Sequence, residues 1–93
     1  HVIVIATYVK REHLIPVQDY FKEKGIPTEI MRRGSYYLLV TRQRFESTER
    51  VGSDGRQMKQ RIRNIGQNYK APSGYENFGR MPFQDVYGMK ITN

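Results

Sequence analysis

The sequence predicts one α+β domain with its elements in the order β-α-β-β-α-β. Three observations lead there. Residues 2–6 (Val-Ile-Val-Ile-Ala) form an opening β-branched run. Two later stretches repeat their apolar residues at helical spacing. Residues 36–40 (Tyr-Tyr-Leu-Leu-Val) are apolar without a break. At 93 residues there is room for one hydrophobic core, and seven Tyr and four Phe supply its bulk.

Residues 1–8 read as the first strand, and Lys10-Arg11-Glu12 as a polar break. Leu14, Val17 and Phe21 then recur at i, i+3, i+7, and Gly25 stops this first helix. Pro16 is comfortable only in a first turn. The regular helix therefore starts between His13 and Ile15, or at Arg11 with a strained first turn. Residues 27–31 are short and half-polar, an edge strand. Arg32-Arg33-Gly34-Ser35 reads as a turn and residues 36–45 as a long third strand, closing a hairpin. Residues 46–53 form a polar loop, and Ser53 or Asp54 caps the second helix. Its stripe is Met58, Ile62, Ile65 and Tyr69, while Arg56, Lys59, Arg63 and Lys70 gather on another face. Residues 71–82 are a long connection rich in Pro, Gly and aromatics. Residues 86–91 give the fourth strand, with Tyr87, Met89 and Ile91 on one side. Two helices on one face of a four-stranded antiparallel sheet, in this order, make the ferredoxin-like arrangement.

The sheet's second face is the anomaly. A face that meets water should alternate to polar residues, yet the first and third strands are apolar on both sides. With Ile3, Ile5, Tyr36, Leu38 and Val40 under the helices, Val2, Val4, Ala6, Tyr37 and Leu39 look outward. Such a patch calls for a cover. The candidates are residues 71–82 with Tyr75, Phe78 and Met81, a second copy of the chain, or a ligand.

Several chemistries are excluded. Without Cys there is no disulfide, thiolate zinc site or cysteine nucleophile. His1 and His13 lack companions at metal-ligand spacing. Gly52-Ser53-Asp54-Gly55 lacks the Lys-Ser/Thr of a phosphate loop, and the acids are dispersed. The residues point to a binding module rather than an enzyme, with no cofactor. The longest apolar run, residues 2–6, is far short of the ~20 residues of a membrane span, and no signal peptide is visible. The chain lacks an initiator Met and opens inside a strand-like run, which reads as a domain (residues 1–93) cut from a longer protein.

The net charge is +7, and its placement matters more than its size. Residues 32–63 hold nine Lys or Arg against Glu46, Glu49 and Asp54, hence +6 of that +7. Such a stretch attracts a polyanion: nucleic acid, anionic headgroups or an acidic envelope polymer.

Two resemblances refine the reading. The strand-three signature of RNA-recognition domains is matched by Arg33-Gly34 in its first two places and little after them. A closer resemblance runs from Ile3 to Val40. Ala6-Thr7-Tyr8 ends the first strand. A helix containing Tyr20-Phe21 closes in Gly25 before Ile26-Pro27-Thr28-Glu29-Ile30. The third strand opens Tyr36-Tyr37-Leu38-Leu39-Val40. This stretch resembles the first half of a SPOR (sporulation-related repeat) domain. The resemblance implies a βαββαβ fold on a bacterial cell-envelope protein that holds peptidoglycan glycan strands lacking stem peptides on its open sheet face. The chain departs from the family at Val4, where a polar residue is usual, and at Thr41-Arg42, where a Gly is expected. The segment from Ala71 onward has no counterpart in it.

The expected ligand-binding face is thus Tyr8, Tyr37, Leu39, Thr41 and Gln43. The expected basic surface is Arg42, Arg44, Arg56, Lys59, Arg63 and Lys70. Envelope polysaccharide leads as partner, with RNA binding and self-association through the sheet face as the alternatives.

Overall fold

The structure, a computed structural model, describes residues 1–91. Its elements are β1 (Val2–Tyr8), a 3-10 turn (Arg11–His13), α1 (Ile15–Glu23), β2 (Thr28–Arg33), β3 (Tyr36–Thr41), α2 (Asp54–Gly66) and β4 (Tyr87–Met89). The strands form one antiparallel sheet in the order β2-β3-β1-β4. The expected α+β class therefore holds.

Local chemistry sets the helix ends. Pro16 sits in the first turn of α1, and the 3-10 turn delivers the chain to it without the strained start at Arg11. At the other end Gly25 adopts φ 84°, which frees two amides to close the helix. Ile26 N–H reaches Phe21 O at 2.8 Å and Gly25 N–H reaches Lys22 O at 3.0 Å. Ile26 and Phe21 are then buried in the same cluster. In α2, Ser53 is the cap, its hydroxyl accepting the Arg56 amide at 3.2 Å.

The expected stripe of α2 faces the core: Ile62 and Tyr69 are buried in it, and Met58 and Ile65 pack half-buried against it. Gly55, Lys59 and Gly66 are buried on the helix as well. Two glycines and a lysine carry no apolar signal, so periodicity did not reveal them. Gly55 is needed for a close approach: a Cβ there would overlap the Ser47 carbonyl, so the loop after β3 lies directly on the helix.

The two faces of the sheet are both buried. Ile3, Ile5 and Leu39 pack under the helices with Val17, Phe21 and Ile62. Val2, Val4, Leu38 and Val40 make a separate cluster on the other face. This corrects the expected facing of β3, where Leu38 and Val40 were placed under the helices and Tyr37 and Leu39 outside. A bulge in β1 contributes. Val4 pairs with Val40, but Ala6 pairs with Leu39, so Ile5 and Ala6 both join the helix-side core. A strand apolar on both sides carries no signal of its own facing, and its pairing alone decides it.

One expected cover of the outer face, residues 71–82, is corrected. Met31, Met89 and Ile91 flank the cluster half-buried, and Arg33 Nη1 meets Met89 Sδ at 2.7 Å. Residues 71–82 lie elsewhere. Phe78 packs on Tyr8 and Phe83, and Phe83 on Phe21 and Tyr69, all on the helix side.

Glycine to alanine in a helix ordinarily stabilises by about 0.5–1 kcal/mol. At Gly55 the Ser47 carbonyl reverses the sign, and Gly55→Ala is expected to lose about 1–2 kcal/mol through overpacking. Urea denaturation reads this directly; a midpoint equal to or above wild type would refute the close approach.

Candidate functional site

Where β1 begins and β3 ends, the sheet holds a short excursion. Thr41 is buried, its hydroxyl accepting Ile3 N–H at 3.0 Å and donating to Gln43 O at 3.0 Å. Phe45 is buried too, and it exchanges backbone hydrogen bonds with His1, each 2.7 Å. Between these two anchors Arg42, Gln43 and Arg44 are all exposed. The Arg42 amide still donates to Pro27 O at 3.1 Å; beyond it the chain leaves the ladder, turns its polar residues outward, and rejoins β1 at Phe45. Residues 42–45 were expected as strand; this excursion takes their place.

Three cavities adjoin the excursion. Arg44 and Arg50 border one of about 400 Å³ beside Ser47 and Ser53. Gln43 borders that one and a second of about 300 Å³, where Arg61 stands. Arg42 and Lys22 border a third of about 460 Å³ against Pro27 and Thr28. The acids Glu46, Asp54 and Asp19 also contribute to these walls, so the surface is cationic but punctuated. Arg61 additionally donates to Lys24 O at 3.1 Å, satisfying a carbonyl just past α1.

The expected sheet-face set does not assemble. Leu39 is fully buried under the helices, and Thr41 is a buried linchpin of the sheet end. Tyr8 and Tyr37 are half-buried against the helix-side core. Burial, with the nearby charge of Glu76, holds the Tyr8 phenol above its ordinary pKa. Gln43 alone of the five is openly exposed, at the sheet end rather than on its face.

The expected basic set divides. Arg42 and Arg44 flank Gln43, and Arg56 is exposed on α2. Lys59 is corrected from surface to interior: it is 6% exposed and its ammonium pairs with Glu49 at 2.5 Å. Arg63 is committed to the segment before β4, its Nε donating to Gln84 O at 3.1 Å while Gln84 Nε2 donates to Arg63 O at 2.9 Å. Lys70 lines a different groove, beside α1. Sequence reasoning missed Arg50, Arg61 and Lys22 as members of the cationic end. Arg50 and Arg61 lie in the basic third of the chain, a usable signal, whereas Lys22 arrives only through the fold.

Among the described residues no cluster of His, Cys, Asp and Glu could hold a metal ion, and no helix is long and apolar enough to cross a membrane. Compared with known proteins, the chain matches no family model, no curated protein and no solved structure.

The Lys59 partnership holds the Glu49 carboxyl below the ordinary value of 4.5, by hydrogen bond first and charge second. A depressed folded pKa contributes stability that is complete above the ordinary value and is lost as pH falls through the folded one. Glu49→Gln is therefore expected to flatten part of the stability loss between about pH 5 and 3. Midpoints measured across that range test it; an unchanged acid slope would remove the ion pair from the account.

Proposed function

We propose that this chain is a non-catalytic binding module, a ferredoxin-like and SPOR-like domain of a bacterial envelope protein. Its ligand is an anionic polymer held across the cationic end of the sheet, and peptidoglycan glycan strands lacking stem peptides are the leading candidate. The observation that carries the reading is the excursion Arg42-Gln43-Arg44, exposed between two buried anchors.

Chemistry connects that site to the ligand. A glycan strand stripped of its peptides bears a free carboxylate on alternate sugars among many hydroxyls. Arginine forks match carboxylates. The Gln43 amide both donates to and accepts from hydroxyls. Ends fixed by backbone and side-chain bonds reduce the ordering cost of binding. The site is the sheet end, not the open face of the resemblance, because Met31, Met89 and Ile91 already occupy that face.

RNA phosphates would meet the same arginines. Base recognition in single strands also needs aromatic faces for stacking. Phe45 at this end is 6% exposed, and the exposed Tyr36 stands at the opposite end of β3 from Thr41. The geometry therefore favours the glycan.

The test is co-sedimentation with purified peptide-free glycan strands. Arg42→Glu with Arg44→Glu is expected to weaken retention about tenfold or more, and added salt to weaken the wild type. Retention unchanged by the double reversal would overturn the site. Binding to RNA but not to glycan would overturn the ligand.

A further inference from the structure

A second groove, of about 530 Å³, runs beside α1 and is chemically unlike the cationic end. Its walls are aromatic and proline-rich: Pro16 and Tyr20 from α1, Tyr69 after α2, then Pro72 and Tyr75. Tyr75 is 43% exposed, and Ile15 adds an apolar margin. The groove is preformed. Tyr20 donates to Ile65 O at 2.6 Å, and its ring meets that of Tyr69 edge-on at 5.2 Å, which ties α1 to α2. Tyr75 N–H closes a turn on Pro72 O at 3.1 Å.

The charge of its rim indicates what would fill it. Asp19 and Glu23, one helical turn apart and both exposed, give it an acidic rim in a protein of net charge +7. Lys70 is the cation that lines it, and Lys24 nearby is drawn over the Tyr20 ring.

We propose that this groove docks a proline-rich segment of a partner protein carrying Arg or Lys beside its prolines. A polyproline II helix is stiff, pays little ordering entropy, and projects unpaired carbonyls. Its rings pack on tyrosine and proline faces. Its cation meets Asp19 and Glu23. The surface is separate from the cationic end, although Asp19 borders both this groove and the cavity beside Arg42.

The test is fluorescence anisotropy with a labelled peptide of repeated Pro-Pro-Arg, against Gly-Ser-Arg and Pro-Pro-Glu repeats of equal length. Saturable binding is expected for Pro-Pro-Arg, with the other two weaker. Tyr75→Ala is expected to weaken it about tenfold while the circular dichroism stays native. Asp19→Lys with Glu23→Lys, both on exposed positions, is expected to abolish the preference for Arg over Glu. The proposal is overturned by absence of saturation, by equal binding of Gly-Ser-Arg, by tighter binding of Pro-Pro-Glu, or by native affinity in both variants.

Discussion

The hydroxyl of Thr41 governs the layout of this domain. It stands where a backbone carbonyl would serve the Ile3 amide, and the same oxygen donates onward to Gln43 O. A side chain thereby completes the ladder while the main chain leaves it. Two consequences follow. β3 stops at Thr41; the Arg42 amide still donates to Pro27 O at 3.1 Å, and the chain beyond it is released until Phe45 engages His1. Three polar side chains are thus held at a fixed place without a strand or helix beneath them. Burial of Thr41 and Phe45 excludes water from both anchors, which strengthens their hydrogen bonds.

The helix-side core is closed by a segment with no regular structure. Phe78 and Phe83 both adopt left-handed backbone angles, φ 59° and 65°. For side chains with a Cβ that conformation costs about 1–2 kcal/mol each. Aromatic burial offsets it: Phe83 is 7% exposed and contacts Phe21, Tyr69 and Phe78. It also lies against Gly66, where a Cβ would clash with its ring. His13 supports the same segment, its Nδ1 accepting the Glu76 amide at 2.9 Å. The imidazole is therefore a structural acceptor between Tyr8 and Tyr75 rather than a free surface group.

Much of this was legible in the sequence. Pro16 and Gly25 bracketed α1, Ser53 was one of two caps offered for α2, and the order of elements followed from periodicity. What was hidden has physical causes. A strand apolar on both sides, like residues 36–40, cannot reveal its own facing, so Leu39 was placed outside when it is core. Lys59 reads as solvent, yet its aliphatic stem fits the buried side of α2 and Glu49 neutralises its tip. The excursion at residues 42–44 carries neither Gly nor Pro to mark it, and the bond that creates it spans 38 residues. The candidate site was therefore visible as composition, through Arg42, Gln43 and Arg44, but not as a place.

The pairing of β4 with β1 has a consequence for how the protein is made. Val2, Ile3 and Val4 are matched by Met89, Gly88 and Tyr87, residues that leave the ribosome more than 80 positions later. Until they emerge, a nascent chain that has already joined β1 to β3 presents β1 as an open, β-branched edge. Open edges of that kind recruit other strands. Protection of the first strand during synthesis therefore rests on the last, and a ribosome pausing between α2 and β4 would prolong the interval in which neighbouring chains can pair.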